Sequence, residues 1–172
     1  GTSQITASNA AATTTFAGNG ATFYNVSFSA GVNVVINGAN TFNNLTIPGN
    51  NVSGFTTITF AANQTINGTL TASAPSTPIN RNFFKSDTVG TTRTLTCAAV
   101  SFTDVDFQDI TIAGAAAPAT GTRLGDCKGN SGITFTAAKT VYWNLAGAQN
   151  WIATGWATSS GGTPAVNNYP LP

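Results

Sequence analysis

The sequence contains no Glu, no His and no Met, and only 6% of its 172 residues are charged. A globular domain normally carries roughly 25% charged residues. Without His, the usual Ser-His-Asp and Cys-His nucleophile arrangements are excluded within this chain. Two Cys without a His also argue against a structural zinc site. The net charge of +1 gives no electrostatic footprint for nucleic acid.

Two further absences narrow the class of protein. No apolar run approaches the roughly 20 residues that a membrane helix needs, so no membrane insertion is expected. Amphipathic patterns with a 3.6-residue period are also missing, which excludes a helical fold. Because there is no Met, we expect the chain to be a processed product or a piece of a longer protein.

Short strands are present instead, and one stretch shows how they are arranged. In "VSFTDVDFQDITIAG", residues 100–114, the apolar positions alternate with polar ones but change phase twice. A single half-buried strand would keep one phase, because a one-residue slip turns every side chain to the opposite face. Three strands of three residues with two-residue polar corners explain both slips, if the chain bends at each corner around one central axis.

The same pattern recurs upstream with a period near 20 residues. The segments "TFYNVSF" (22–28) and "TFNNLTI" (41–47) are similar at six of seven positions, and Asn-Gly pairs at 19–20, 37–38 and 67–68 suit corners. Short strands with such a period predict a solenoid, namely a parallel and right-handed β-helix. The alternative is an antiparallel β-sandwich with hairpins at the Asn-Gly pairs.

We expect two regions in the chain. Residues 1–128 would form the coils, interrupted by a Pro-rich loop near residues 73–86, with Arg81, Lys85 and Arg93 as solvated cations. Residues 129–172 hold all three Trp and would form a capping or junction segment.

The C-terminal motifs resemble those of a known group of proteins. "GDCKGNSGITF", followed by "YW", "NW", "W" and "SGG", resembles a module of long, repetitive bacteriophage and bacterial surface proteins, where it lies at junctions between β-helical stretches. The resemblance covers about fifty residues and implies a structural or adhesive part of an extracellular or virion protein. It supplies no catalytic residues.

The candidate sites are few, and each has a structural alternative. Cys97 and Cys127 would form a disulfide or remain two free thiols. Asp104, Asp106 and Asp109 form the one carboxylate cluster, which a glycosidase or a calcium site could use, but solvated corners are favoured. Regular Thr rows on a flat solenoid face would resemble an ice-binding surface, but Thr spacing is irregular and no Thr-x-Thr column repeats over several coils, so this function is not favoured. Four aromatic side chains could bind a ligand or could instead cap the solenoid, namely Tyr142, Trp143, Trp151 and Trp156.

These observations predict a non-enzymatic structural or adhesive component of a bacteriophage virion, such as a tail fibre, spike or capsid-decorating protein. A bacterial cell-surface adhesin that binds glycan or protein is the alternative. The expected partners are other virion or surface-protein subunits and a host-surface glycan, with a homotrimer by analogy to phage fibres. No cofactor, metal or nucleic acid is expected, and the location would be the virion or the cell exterior.

Overall fold

The computed structural model describes residues 4–7, 13–49, 54–73, 80–135, 140–166 and 168, and these are nearly all β-strands and turns. Within them, helical structure is confined to a 3₁₀ turn at Gly114–Ala116. None of the described helical residues forms a helix long and apolar enough to cross a membrane. The strands are β1 (Gln4–Ala7), β2 (Thr14–Ala17), β3 (Thr22–Phe28), β4 (Val34–Asn37), β5 (Thr41–Pro48), β6 (Gly54–Phe60), β7 (Gln64–Ser73), β8 (Asn80–Ser86), β9 (Arg93–Thr103), β10 (Val105–Gln108), β11 (Ile110–Ala113), β12 (Gly121–Thr122), β13 (Gly125–Asp126), β14 (Tyr142–Trp143) and β15 (Trp156–Ala157).

From β1 to β11, consecutive strands alternate between two parallel sheets. Sheet 1 has the order β1-β3-β5-β7-β9-β11, with β12 also paired to β9, and sheet 2 has the order β13-β10-β8-β6-β4-β2. A chain that visits the two sheets in turn, and pairs each strand with the next but one, must wind around a common axis. The result is about five stacked coils. The structure therefore confirms the predicted parallel β-helix and not the alternative, an antiparallel β-sandwich. The right-handed winding of the helix stays a prediction.

The two similar segments lie one above the other, as predicted. Strand β3 pairs with β5 so that Thr22 is level with Thr41 and Val26 with Leu45. The same strand β5 is then covered by β7, in which Leu70 is level with Leu45. Apolar residues consequently stack from coil to coil on the inner face.

The phase slips in residues 100–114 are produced by single residues rather than by two-residue corners. Asp104 separates β9 from β10, and Asp109 separates β10 from β11, with φ of 58° and 55°. This left-handed conformation turns the chain within one residue, and Asp tolerates it better than most residue types. Each turn moves the chain to the other sheet, so Phe102, Val105 and Ile110 all face the same core.

The core is filled from both sheets by apolar side chains, with a row of phenylalanines near its centre. Phe84 is fully buried and packs edge-to-face against Phe60, Phe107 and Phe102, with ring centroids 5.4, 5.7 and 6.1 Å away. Such pairs contribute about 0.5–1.5 kcal/mol each beyond their buried area. Aromatic packing therefore holds neighbouring coils together across the axis.

Buried amides satisfy the backbone at one edge where the chain passes from sheet 2 to sheet 1. Asn40 and Gln64 are 1% and 2% exposed. Asn40 Oδ1 accepts from the Gly20 N–H, and Asn40 Nδ2 donates to Gln64 Oε1 at 3.1 Å. Gln64 Nε2 in turn donates to the carbonyl oxygens of Gly38 and Ala62. Because unpaired buried backbone groups are costly, this ladder fixes the stacking of three successive coils.

Two details of the predicted corners change in the structure. Gly20 and Gly38 do adopt positive φ, but Asn67–Gly68 lies inside β7, where the pairing register shifts as in a β-bulge. The second half of the predicted Pro-rich loop is a strand, β8, because its residues alternate between buried and half-buried positions. The first half, residues 74–79, lies outside the described residues.

The chain divides into two compact units, Gly1–Phe135 and Thr136–Pro172. The coil unit thus extends seven residues beyond the expected boundary at 128. Ser131 and Ile133 account for part of this extension, since they form parallel bridges to Thr111 and Ala119. In the second unit, β14 and β15 pair antiparallel. The capping role expected for this unit stays a prediction.

Candidate functional site

Three tryptophans meet in the second unit, and its short hairpin positions two of them. Trp143 on β14 is the cross-strand partner of Trp156 on β15. Their rings lie edge-to-face with centroids 5.0 Å apart. Because facing side chains on paired strands come close, this pair forms directly from the strand register.

Trp151 contacts Trp156 through its ring and through its backbone carbonyl. The rings of Trp151 and Trp156 lie edge-to-face at 4.7 Å, and the Trp156 Nε1–H donates to the Trp151 carbonyl oxygen at 2.7 Å. Trp156 is 9% exposed and anchors the cluster, whereas Trp151 is 60% exposed. A large indole surface therefore stays in contact with solvent although its backbone is held in place.

These rings line a shallow cleft of about 270 Å³. The lining residues are Trp143, Gly147, Ala148, Gln149, Trp151 and Trp156. Three of the four aromatic residues singled out from the sequence thus come together. Tyr142 does not line the cleft, because successive side chains on a strand point to opposite faces. Gln149 was not anticipated, and its only sequence signal is its place two residues before Trp151.

The outer face of sheet 1 carries two columns of hydroxyl side chains, although the spacing of Thr along the sequence is irregular. In the first column, Thr22, Thr41, Thr65 and Thr96 are level on four successive strands. The second runs over five strands through Thr6, Ser27, Thr46, Thr71 and Ser101. Neighbouring strands are about 4.8 Å apart, so the hydroxyls repeat at that spacing. We call these two rows the hydroxyl columns.

Asparagines lie between the hydroxyl columns. Asn44 Nδ2 donates to Asn25 Oδ1 at 2.9 Å, and Asn44 Oδ1 accepts from the Thr69 N–H at 2.8 Å. A shallow depression of about 240 Å³ lies here, with Gln4, Thr46 and Thr71 also along its walls. The face as a whole offers uncharged donors and acceptors in register.

Two of the three carboxylates in the cluster bind arginine side chains. Asp104 is fully buried and accepts two hydrogen bonds of 2.6 Å from Arg123, while Asp106 accepts two of 2.7 and 2.6 Å from Arg81. Arg81 also approaches Asp104 at 3.5 Å and donates to the Arg123 carbonyl oxygen. The predicted solvated corner is therefore wrong for Asp104, because this turn is covered by the next coil.

The third carboxylate, Asp109, and the cations Arg81 and Arg93 differ in burial and in hydrogen-bond partners. The predicted solvated corner is also wrong for Asp109, which is 7% exposed and whose carboxylate accepts from the Gly90 N–H at 2.9 Å. Arg81 lies on β8 with its side chain 11% exposed, so it is not a solvated loop cation. Arg93 pairs with Asp87 at 2.6 Å. Within the described part of the chain, no three His, Cys, Asp or Glu side chains converge in a way that could hold a metal ion.

The two cysteines are free thiols in different environments. Cys97 faces the core from β9 in sheet 1, and burial raises the pKa of its thiol to about 12. Cys127 is exposed just after β13 of sheet 2. Partial burial of its sulfur and the charges of Asp106 and Asp126 raise the pKa of its thiol. Of the two alternatives left by the sequence, the structure has the free thiols, with Cys97 buried in the core and Cys127 exposed.

Comparison of the chain with protein-family models, with curated proteins and with solved structures gives no match. Function is therefore inferred from the geometry described above.

Proposed function

We propose that the chain is a non-enzymatic structural and adhesive module of a bacteriophage virion, as part of a tail fibre, a spike or a capsid-decorating protein. The observation that carries the proposal is the parallel β-helix whose sheet 1 presents an uncharged face of hydroxyl and amide side chains. The resemblance of the C-terminal motifs to junction modules of long phage and bacterial surface proteins supports the same class.

A β-helix suits a load-bearing role for a physical reason. Each internal strand is hydrogen-bonded to the coil below and the coil above, and the inner columns of apolar residues run through all coils. Stability in such repeats is the sum of nearest-neighbour interfaces, so the module can be extended along its axis. The expected assembly partners are other virion subunits, including two further copies in a homotrimer.

The low charge suits a particle exposed to changing surroundings. The chain has no His, and the buried Cys97 thiol titrates far above neutrality. Few exposed charges also mean that salt screens little of the stabilising free energy. We expect the melting temperature to change little across neutral pH and with moderate salt. A strong dependence on either would contradict this part of the proposal.

The arginine contacts support a structural rather than a hydrolytic use of the carboxylates. A glycosidase needs one carboxyl group as an acid and a second as a base or nucleophile, both free to approach the sugar. Asp104 and Asp106 instead each accept a pair of hydrogen bonds from an arginine. Activity on a polysaccharide that disappeared in Asp106→Asn would contradict the non-enzymatic proposal.

The tryptophan cleft favours a second candidate, a bacterial cell-surface adhesin that binds glycan or protein. An exposed indole beside a cleft is typical of recognition surfaces. The two candidates differ in where the protein is found. An antibody against the purified chain should label intact virions in electron micrographs and detect the polypeptide in virions purified by density gradient. Detection in bacterial envelopes, with none in virions, would favour the adhesin and overturn the virion assignment.

A further inference from the structure

We infer that the tryptophan cleft is a binding site for one ring of an uncharged sugar, with Trp151 as the stacking platform and Gln149 as the polar contact. The inference deepens the adhesive part of the proposed function and rests on it for its biological meaning. Sugar binding by the purified chain is measured without virions or cells, so its failure is separable from failure of the virion assignment.

The absence of charged residues around the cleft selects the chemistry of the ligand. No Asp, Glu, Lys or Arg occurs from residue 140 to residue 172, the stretch that supplies all the cleft residues, and Lys139 is the one charged residue of the second unit. Phosphate groups dominate the affinity of proteins for nucleic acid and need cationic partners, so a stacked nucleotide is disfavoured here. An acidic sugar would likewise find no counter-charge among the residues that line the cleft. An uncharged pyranose needs neither.

The two sides of a pyranose match the two kinds of side chain in the cleft. Its C–H face packs on an indole, whose π face is electron-rich, and Trp151 is 60% exposed for that contact. Its hydroxyls need neutral donors and acceptors. The Gln149 side chain supplies both, lines the cleft and makes no hydrogen bond within the described part of the chain.

The size and rigidity of the cleft point to a single ring. Pockets for drug-sized ligands have about 300–1,000 Å³, and this cleft has about 270 Å³. Trp151 is held in advance by its ring contact with Trp156 and by the 2.7 Å hydrogen bond to its carbonyl oxygen. A platform that is already ordered loses less conformational entropy on binding. We expect dissociation constants on the order of millimolar for a monosaccharide, because so small a ligand makes few contacts.

The test is a titration of the full chain by tryptophan fluorescence, since all three tryptophans belong to this cluster. The probes are methyl glucoside, methyl galactoside and N-acetylglucosamine, with galacturonate as the acidic comparison. At least one neutral sugar should change the emission saturably. Trp151→Ala should weaken binding by about tenfold or more, as truncation of a binding hot spot does. Gln149→Ala should weaken it severalfold.

Two variants control for folding and for non-specific aromatic contact. Trp151→Phe keeps a ring and should retain measurable binding. Tyr142→Ala removes another exposed aromatic side chain of the same unit, outside the cleft, and should bind as the parent chain does. The Trp143–Trp156 pair gives a near-ultraviolet circular dichroism signal that reports whether each variant is folded.

Four results would overturn the inference, and the first three concern sugar binding. They are the absence of binding to all neutral sugars up to about 100 mM, preference for galacturonate, and unchanged affinity in folded Trp151→Ala. A fourth is a change of oligomeric state in Trp151→Ala without any sugar binding by the parent chain, which would assign the cleft to contact between copies.

Discussion

Replacing Asp104 by Asn tests whether the turn between β9 and β10 depends on its charge or only on its backbone conformation. Asn has nearly the same size and tolerates positive φ as well as Asp does. The substitution therefore keeps the turn and removes the negative charge from the Arg123 contact, whose two hydrogen bonds measure 2.6 Å. Any loss of stability reports the contacts of this charge, chiefly with Arg123 and also with Arg81 at 3.5 Å.

The expected loss follows from burial. Asp104 is fully buried, and the Arg123 side chain is 35% exposed. Breaking a buried ion pair by removing one partner costs about 3–5 kcal/mol, because the remaining charge stays desolvated. Arg123 keeps part of its hydration, so we expect a cost at the lower end, about 3 kcal/mol. With a urea slope of about 2 kcal/mol/M, the unfolding midpoint should fall by about 1.5 M.

Asp109 provides the matched control. It has nearly the same φ, it occupies the equivalent turn between β10 and β11, and its carboxylate accepts from a backbone N–H rather than from an arginine. Asp109→Asn keeps an acceptor oxygen and should cost about 1 kcal/mol. The assay is urea unfolding followed by far-ultraviolet circular dichroism, which reports the coils. A midpoint shift in Asp104→Asn no larger than that in Asp109→Asn would refute the reasoning.

Three further outcomes are expected. Gly38→Ala should cost at least about 1 kcal/mol more than Gly90→Ala in urea unfolding. Both glycines have φ near 79°, but a Cβ at Gly38 would lie 2.8 Å from the backbone of the neighbouring coil, whereas one at Gly90 would meet nothing. Equal losses of unfolding free energy in the two variants would contradict this packing. A thiol reagent at mildly alkaline pH should modify Cys127 alone in the native chain and also Cys97 after unfolding, because Cys97 is buried with a pKa near 12; mass spectrometry that finds no free thiol after unfolding would show a disulfide instead. Phe84→Ala should cost about 3–5 kcal/mol, and a loss below about 1 kcal/mol would show that the row of rings adds little to the coil interfaces.

The winding of the chain could be predicted because it depends on local signals. Phase slips at Asp104 and Asp109 mark the corners, and alternating apolar residues mark the inward faces. Both signals extend over a few residues, so they can be recognised in the sequence without knowing which coils pack above and below. The predicted length of each corner is wrong. One residue in the left-handed conformation turns the chain, whereas the sequence pattern predicts a corner of two polar residues.

The hydroxyl columns could not be predicted because coil length varies. Successive members of the first column, from Thr22 to Thr96, are separated by 19, 24 and 31 residues along the chain. A search at one fixed period finds no column. The bulge at Asn67–Gly68 and the longer connections absorb the extra residues, and the strand register then restores the alignment. Only pairing between coils reveals which Thr residues are neighbours.

The few charges also have a role that composition alone could not reveal. Arg81 on β8 binds Asp106 on β10 in the adjacent coil, and Arg123 reaches back to Asp104 at the start of that coil. These charges are neutralised between coils, while the outer face of sheet 1 between its hydroxyl columns carries amides. Attraction at long range is therefore weak, and we propose that a subunit packed on this face would be recognised by hydrogen bonds that require close registry. Such recognition suits a repeating neighbour in an assembly, where the same contact recurs at the spacing of the coils.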